Sequence, residues 1–183
     1  NTAHELGHKT SKLEWNLATT ALAMGAYGHF AVEHNRGHHL QVATPEDCAS
    51  SRMGETLYRF ARRELPGAFR RGWSLERKRL EREGQPVWSM HNEIVRAGAI
   101  TLTTFTVLVA TLGAITVPFL LAAYAIGAFH LTLANYIEHY GLLRRQRRAG
   151  AYERTKPHHS WNSNHICSNW ALYHLQRHSD HHA

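Results

Sequence analysis

From Ala97 to Ile137 the chain contains no Asp, Glu, Lys or Arg. A single helix over that stretch would be about 60 Å long, roughly twice the thickness of a bilayer's hydrocarbon core. The pattern therefore predicts a hairpin of two transmembrane helices that turns near Gly113 to Pro118, with Thr residues along the first helix bonding their own backbone or a neighbouring helix. A second apolar run, residues 15–32, would make about 27 Å of helix, borderline for a crossing. Spanning would separate the histidines on its two flanks, so if they share a site this run lies in the interface or dips and returns. Residues 40–93 are soluble in character. Within them Ala43 to Cys48, with Pro45 and two acids, reads as a turn leading into a helix. Leu57 to Leu65 and Ser74 to Glu83 read as charged helices separated by Pro66-Gly67. The expected fold is all-α, an integral-membrane helical bundle with a transmembrane hairpin and a cytoplasmic helical cap. As one partial domain it divides at 1–39, 40–93, 94–141 and 142–183.

Charge sharpens this picture. The 183 residues suit one domain, and the formal net charge of +7 is carried mostly by Arg. The basic residues concentrate between Arg59 and Arg82 and between Arg144 and Lys156, on either side of the apolar hairpin. No helix-turn-helix, zinc finger or interleaving of aromatic and basic residues points to nucleic acid. Basic flanks at both ends of a hairpin instead assign them to the cytoplasmic side of a lipid bilayer. Cys48 and Cys167 are too few and too far apart for a disulfide framework or a cysteine-based zinc site. The first residue is Asn1, and the chain starts and stops inside histidine motifs, so it is expected to be part of a longer protein.

Sixteen histidines are the outlier of the composition. His4 and His8 stand at i and i+4. Glu33-His34-Asn35-Arg36-Gly37-His38-His39 carries three more, and on a regular helix His34 and His38 would share a face while His39 turns about 140° from His34. His139 follows the second apolar helix, and His178, His181 and His182 would occupy an arc of about 100°. Neutral imidazoles are nitrogen donors for zinc, copper or iron alike. One zinc takes about four ligands, so nine imidazoles indicate two metals with room for a small molecule. Glu5, Glu33, Glu138 and Asp180 each adjoin a candidate ligand, and metal-bound histidine commonly donates its second N–H to a carboxylate. His130, His158, His159, His165 and His174 have no assigned role.

Two other functions compete at this point. H-E-x-x-H at residues 4–8 is the zinc metalloprotease pattern, with Glu5 as general base, but it leaves seven clustered histidines unexplained. A histidine-rich metal transporter or sensor would line a pore with them, whereas only His130 lies inside the apolar hairpin.

The motifs H-E-L-G-H-K, E-H-N-R-G-H-H, N-Y-I-E-H-Y-G and L-Q-R-H-S-D-H-H, in this order around a membrane hairpin, resemble the membrane-bound alkane hydroxylases (alkane 1-monooxygenases). That family is related to the fatty acid desaturases and other histidine-rich di-iron membrane enzymes. The resemblance covers the whole chain; Cys48 stands where the family pattern has Pro, and the family's earlier transmembrane helices have no counterpart in it. It implies two irons held by His4, His8, His34, His38, His39, His139, His178, His181 and His182, with O2 as co-substrate. It further implies terminal hydroxylation of a medium-chain alkane with electrons from rubredoxin and rubredoxin reductase, in a bacterial inner membrane with the site on the cytoplasmic side. Desaturation or another lipid hydroxylation within the same superfamily is the alternative.

Overall fold

The computed structural model describes residues 2–147, 150–171 and 176–182, and His174 lies outside them. Helices dominate: α1 (Thr2–Gly7), α2 (Lys12–Met24), α3 (His29–Glu33), a π turn (His34–His38), the short α4 (His39–Gln41), α5 (Leu57–Arg82), α6 (Glu93–Leu112), α7 (Thr116–Glu138), a 3-10 turn (Pro157–His159), α8 (Ile166–Ala171) and α9 (His178–His182). Among the described residues no strand forms, only isolated bridges such as Gln146 with Tyr152. The all-α expectation holds.

The apolar stretch resolves into α6 and α7, joined by Gly113 to Ile115. Asn92 starts α6 by accepting from the N–H groups of Ile94 and Val95, and Glu93 in the first turn favours the positive end of the helix dipole. Gly113 ends it at φ +84, a left-handed conformation that glycine adopts without a Cβ penalty. With 20 and 23 residues the two helices are about 30 and 35 Å long. They are the two helices, among the described residues, long and apolar enough to cross a membrane. Their large side chains face outward, with Leu102 67% and Phe119 69% exposed. Core helices of a soluble protein would hide such residues, so lipid is the solvent these helices fit.

Two parts of the chain depart from expectation. The charged region forms one helix, α5, straight through Pro66. Its buried positions Phe60, Glu64, Ala68, Gly72, Glu76 and Leu80 recur every four residues. Pro66 falls on the exposed side of that stripe, so packing of the stripe outweighs the roughly 3 kcal/mol a mid-helix proline costs. Residues 43–56 form a loop instead of leading into a helix at once. The Asp47 carboxylate is taken up within that loop, accepting from Ala49 N–H at 3.1 Å and from Ser50 Oγ at 2.6 Å.

The chain divides into two compact units. One comprises residues 2–37 and 68–130. In it the 15–32 run breaks at Gly25 to Gly28 into α2 and α3. The 13-residue α2 is about 20 Å long, well short of a bilayer core. It packs along α6, and Thr101 Oγ1 of α6 donates to the Ala23 carbonyl at 2.6 Å and to its own Ala97 carbonyl at 3.0 Å. The other unit comprises residues 38–67 and 131–182 of the described chain. Here Arg63 gathers the 43–56 loop, donating to the carbonyls of Cys48 and Ser50 and to the Glu55 carboxylate. The loop in turn grips the end of α7, where Ser51 Oγ donates to the Tyr136 carbonyl and Tyr136 Oη to that of Glu55.

A Cβ built on Gly28 would lie 2.4 Å from the Cβ of Ala97, whereas Gly98 faces open space. Gly28→Ala should therefore cost about 1–3 kcal/mol by prising the α2–α3 turn from α6, and Gly98→Ala should be neutral or slightly stabilising. Thermal unfolding in detergent micelles separates the two; equal midpoints would show that the close approach is not there.

Candidate metal centre

Three of the histidines named from sequence meet in the first unit. His4 and His8 lie on one face at the start of the chain, with Nε2 atoms 3.4 Å apart. His34 Nε2 comes within 2.6 Å of His4 Nε2. Phe30 stacks on His34 with ring centroids 4.7 Å apart and forms an apolar wall beside the group. His34 opens the π turn, whose i→i+5 pattern adds one residue to a helical turn and so rotates the side chains that follow; such turns are frequent at functional sites. That changes the expectation of a shared face, because His34 joins His4 and His8 while His38 belongs to a different group.

The π turn is fixed by charge. Arg36 donates to Glu76 at 2.7 Å and to Glu93 at 3.1 Å, and Trp15 Nε1 donates to the same Glu93. Glu76 has no exposed side-chain area. Burial raises its carboxyl pKa, but hydrogen bonds from Arg79 and the Glu93 N–H, with the charges of Arg79 and Arg36, outweigh that and hold it below the usual range. Glu33, expected to orient a histidine, is ion-paired with Arg71, whose Nε lies 2.8 Å from its carboxylate. Gly37 explains itself here, because a Cβ at that position would sit 2.8 Å from Arg71 Nε.

The second unit brings together His38, His139, His178 and His182, all buried. Their Nε2 atoms converge: His38 to His139 at 3.1 Å, His139 to His178 at 3.2 Å, and His178 to His182 at 2.8 Å. His39 and His181 meet beside this group, Nε2 to Nε2 at 3.2 Å, with the His39 ring centroid 4.2 Å from that of His182. Behind the ring of His38, Nδ1 donates to Asp47 at 2.8 Å. Behind His139, Nδ1 faces the His159 carbonyl at 3.3 Å. Carboxylates and carbonyls only accept, so both Nδ1 atoms carry a proton, and in the neutral rings both Nε2 atoms then turn lone pairs toward each other.

A proton taken up by His38 comes at its neighbours' expense, because its charge lowers their pKa. Burial, reinforced by nearby His38, pushes His139 down to about 3, against a weaker upward pull from Asp47 and the His159 carbonyl. Burial and the same neighbour bring His181 to about 4. His182 is lowered far more, by burial first and then by His38, His178, His39 and His139. Buried imidazole nitrogens that converge to about 3 Å suit a cation held between them. The donor set is thus that of an imidazole-bound transition metal.

The acids fall differently from the sequence expectation. Glu5 lies 3.7 Å from His4 Nδ1 and is 43% exposed, near the outer nitrogen of that ring but beyond hydrogen-bond length. Glu138 reaches 3.4 Å from His178 Nε2, on the side facing the other imidazoles, so it sits beside the centre and not behind a ligand. Asp180 is 59% exposed and paired with Arg177 at 2.9 Å, a surface ion pair within one helical turn. Sequence reasoning missed Asp47, read as a helix-start acid, and His159, which acts through its backbone. Of the histidines without a role, His130, His158 and His165 are exposed.

A model of the fatty acid desaturase family matches residues 1–183. The chain is 58% identical over 183 residues to an alkane 1-monooxygenase of Pseudomonas putida, covering all of this chain and 46% of that protein. It is 55% identical to alkane 1-monooxygenase 1 of Alcanivorax borkumensis, covering 45% of it. It is also 28% identical over 164 residues to the hydroxylase component of a xylene/toluene monooxygenase of Pseudomonas putida. The chain thus spans just under half the length of the curated relatives it matches.

Asp47→Asn keeps the shape of the acceptor but removes its charge. Metal affinity of the purified protein should fall about 10- to 100-fold, while Glu46→Gln, on an exposed neighbour, leaves it unchanged. Metal content after dialysis against graded chelator reads this, and equal retention in both variants would remove Asp47 from the centre.

Proposed function

The chain belongs to the fatty acid desaturase family, and from that premise we propose that it carries the metal centre of an alkane 1-monooxygenase. The reaction is terminal hydroxylation of medium-chain n-alkanes, with O2 as co-substrate. The observation that carries this reading is the buried convergence of His38, His139, His178 and His182, whose Nε2 atoms meet at 2.8 to 3.2 Å in successive pairs. Relatives that bear this enzyme's name match the chain over its whole length.

In this reading two irons are held by His4, His8 and His34 in one group and His38, His139, His178 and His182 in the other, with His39 and His181 completing the set of nine. Iron in such a site supplies O2 activation and the removal of hydrogen from a terminal methyl group. The chain's own residues set the conditions. Asp47 and the His159 carbonyl fix which nitrogen of His38 and His139 faces inward. Glu138 offers a carboxylate on the inner side, and burial lowers the pKa of His139, His181 and His182, which favours their neutral, metal-binding form. An alkane has no polar handle, so its selection rests on apolar shape, which the lipid-facing character of α6 and α7 suits.

The same reading places the protein in a bacterial inner membrane, with the histidine groups on the cytoplasmic side. Rubredoxin, reduced by rubredoxin reductase, delivers the electrons. Not all of the basic run is available to such a partner, because Arg63, Arg71 and Arg79 are engaged by Glu55, Glu33 and Glu76. Arg70, Arg77, Lys78 and Arg82 remain exposed for an acidic one.

The test is product analysis with n-octane in membranes supplied with rubredoxin, its reductase and NADH. The expected product is 1-octanol, with turnover that weakens as ionic strength rises and is lost in His38→Ala. An alkene or a desaturated acyl chain as the product would assign the protein to the desaturase branch instead.

A further inference from the structure

The sequence motif P-H-H-S-W-N-S, residues 157–163, has no part in the metal reading by ligand chemistry. His159 is buried, but its Nδ1 accepts from the Lys156 N–H at 3.0 Å, which leaves the proton on Nε2, directed at Glu153 3.5 Å away. A ring with its acceptor nitrogen engaged and its other nitrogen protonated is not a metal ligand. Glu153 is itself fixed by the Arg145 N–H at 3.1 Å and by Lys156 at 3.2 Å.

What the segment does touch is the backbone around the histidines. On one side it meets three consecutive residues at the end of α7. The Trp161 N–H donates to the Glu138 carbonyl at 2.8 Å, the His159 carbonyl accepts from His139 Nδ1, and Trp161 Nε1 donates to the Tyr140 carbonyl at 3.0 Å. On the other side it meets α9. The Ser163 N–H donates to the Gln176 carbonyl at 2.9 Å, and Asn162 forms a bridge with Arg177. The Asn162 amide binds Ser179 twice, donating to Oγ at 2.6 Å and accepting from the N–H at 2.8 Å. Five residues are too few for α9 to hold its shape by local bonds, and the Asn162 oxygen satisfies an N–H that its first turn leaves open.

We propose that residues 156–163 are a strap that sets the spacing between His139 and the His178/His182 pair, with Trp161 and Asn162 as positioning residues for the metal centre. His159 anchors the strap's middle through its locked ring and presents its carbonyl to His139. Neither Trp161 nor Asn162 contacts metal or substrate. Their effect passes through the backbone of 138–140 and the start of α9. The proposal rests on the metal reading above.

The experiment uses the membrane protein purified in detergent, stripped of metal and reloaded with Co(II), whose absorption spectrum reports ligand geometry. Release of Co(II) to a chelator is then timed. Asn162→Ala, which removes both bonds to Ser179, should release cobalt about 10- to 100-fold faster with an altered spectrum. Asn162→Asp keeps an acceptor for the Ser179 N–H and a partner for its hydroxyl, and should stay within about threefold of the parent. Trp161→Phe stays aromatic but loses the indole N–H that bonds the Tyr140 carbonyl, so it should accelerate release about three- to tenfold. Parent-like release and spectrum in Asn162→Ala and Trp161→Phe would overturn the strap, and so would an Asn162→Asp protein as leaky as Asn162→Ala. A parent protein that takes up no cobalt would instead bring down the metal reading itself, and the strap's purpose with it.

Discussion

Two buried imidazole nitrogens, His38 Nε2 and His139 Nε2, stand 3.1 Å apart, each ring with its Nδ1 proton committed elsewhere, to Asp47 and to the His159 carbonyl. Such an opposition persists only if something positive lies between the lone pairs or if the surroundings hold them there. Much of the second unit reads as that holding structure. The 43–56 loop, drawn together by Arg63, supplies Asp47 on one side and grips the end of α7 on the other. Buried polar groups of this kind are worth their desolvation only when every partner is present, which is why one missing acceptor should loosen the whole centre.

The first unit solves a related problem with charge. The π turn that carries His34 also carries Arg36, clamped by the fully buried Glu76 and by Glu93. Glu93 opens α6, so the helix that meets lipid and the turn that carries a candidate ligand share one ionic knot. Removing one partner of a buried pair costs far more than the pair itself contributes. Glu76 and Arg36 are therefore structural in the strict sense, although neither faces a metal.

Much of this was legible in the sequence because it rests on local rules. An uncharged stretch longer than one bilayer crossing has to turn, and it turns at Gly113, where a left-handed conformation is needed. His4 with His8, and His178 with His182, are i and i+4 pairs whose nitrogens do meet. What sequence could not carry is tertiary. Asp47 looks like any acid in a turn that follows a proline, and only the fold brings it to His38, nine positions earlier. His159 acts through a carbonyl that every residue possesses, so no side-chain pattern announces it. Pro66 suggested a break, yet the buried stripe from Phe60 to Leu80 runs past it because the proline sits on the outer face. Asp180 was drawn in by adjacency, but a helix turn points neighbours in different directions, and Arg177 takes it.

The claim on which the rest depends is that a metal fills the space between these nitrogens. It is tested most directly by iron content and thermal unfolding of the purified protein before and after exhaustive chelation at neutral pH. The account predicts about two irons per chain, and a clear fall in the unfolding midpoint once they are removed, since a ligand that binds only the folded state stabilises it. About one zinc with no iron, or a metal-free protein that unfolds at the same temperature as the loaded one, would contradict it.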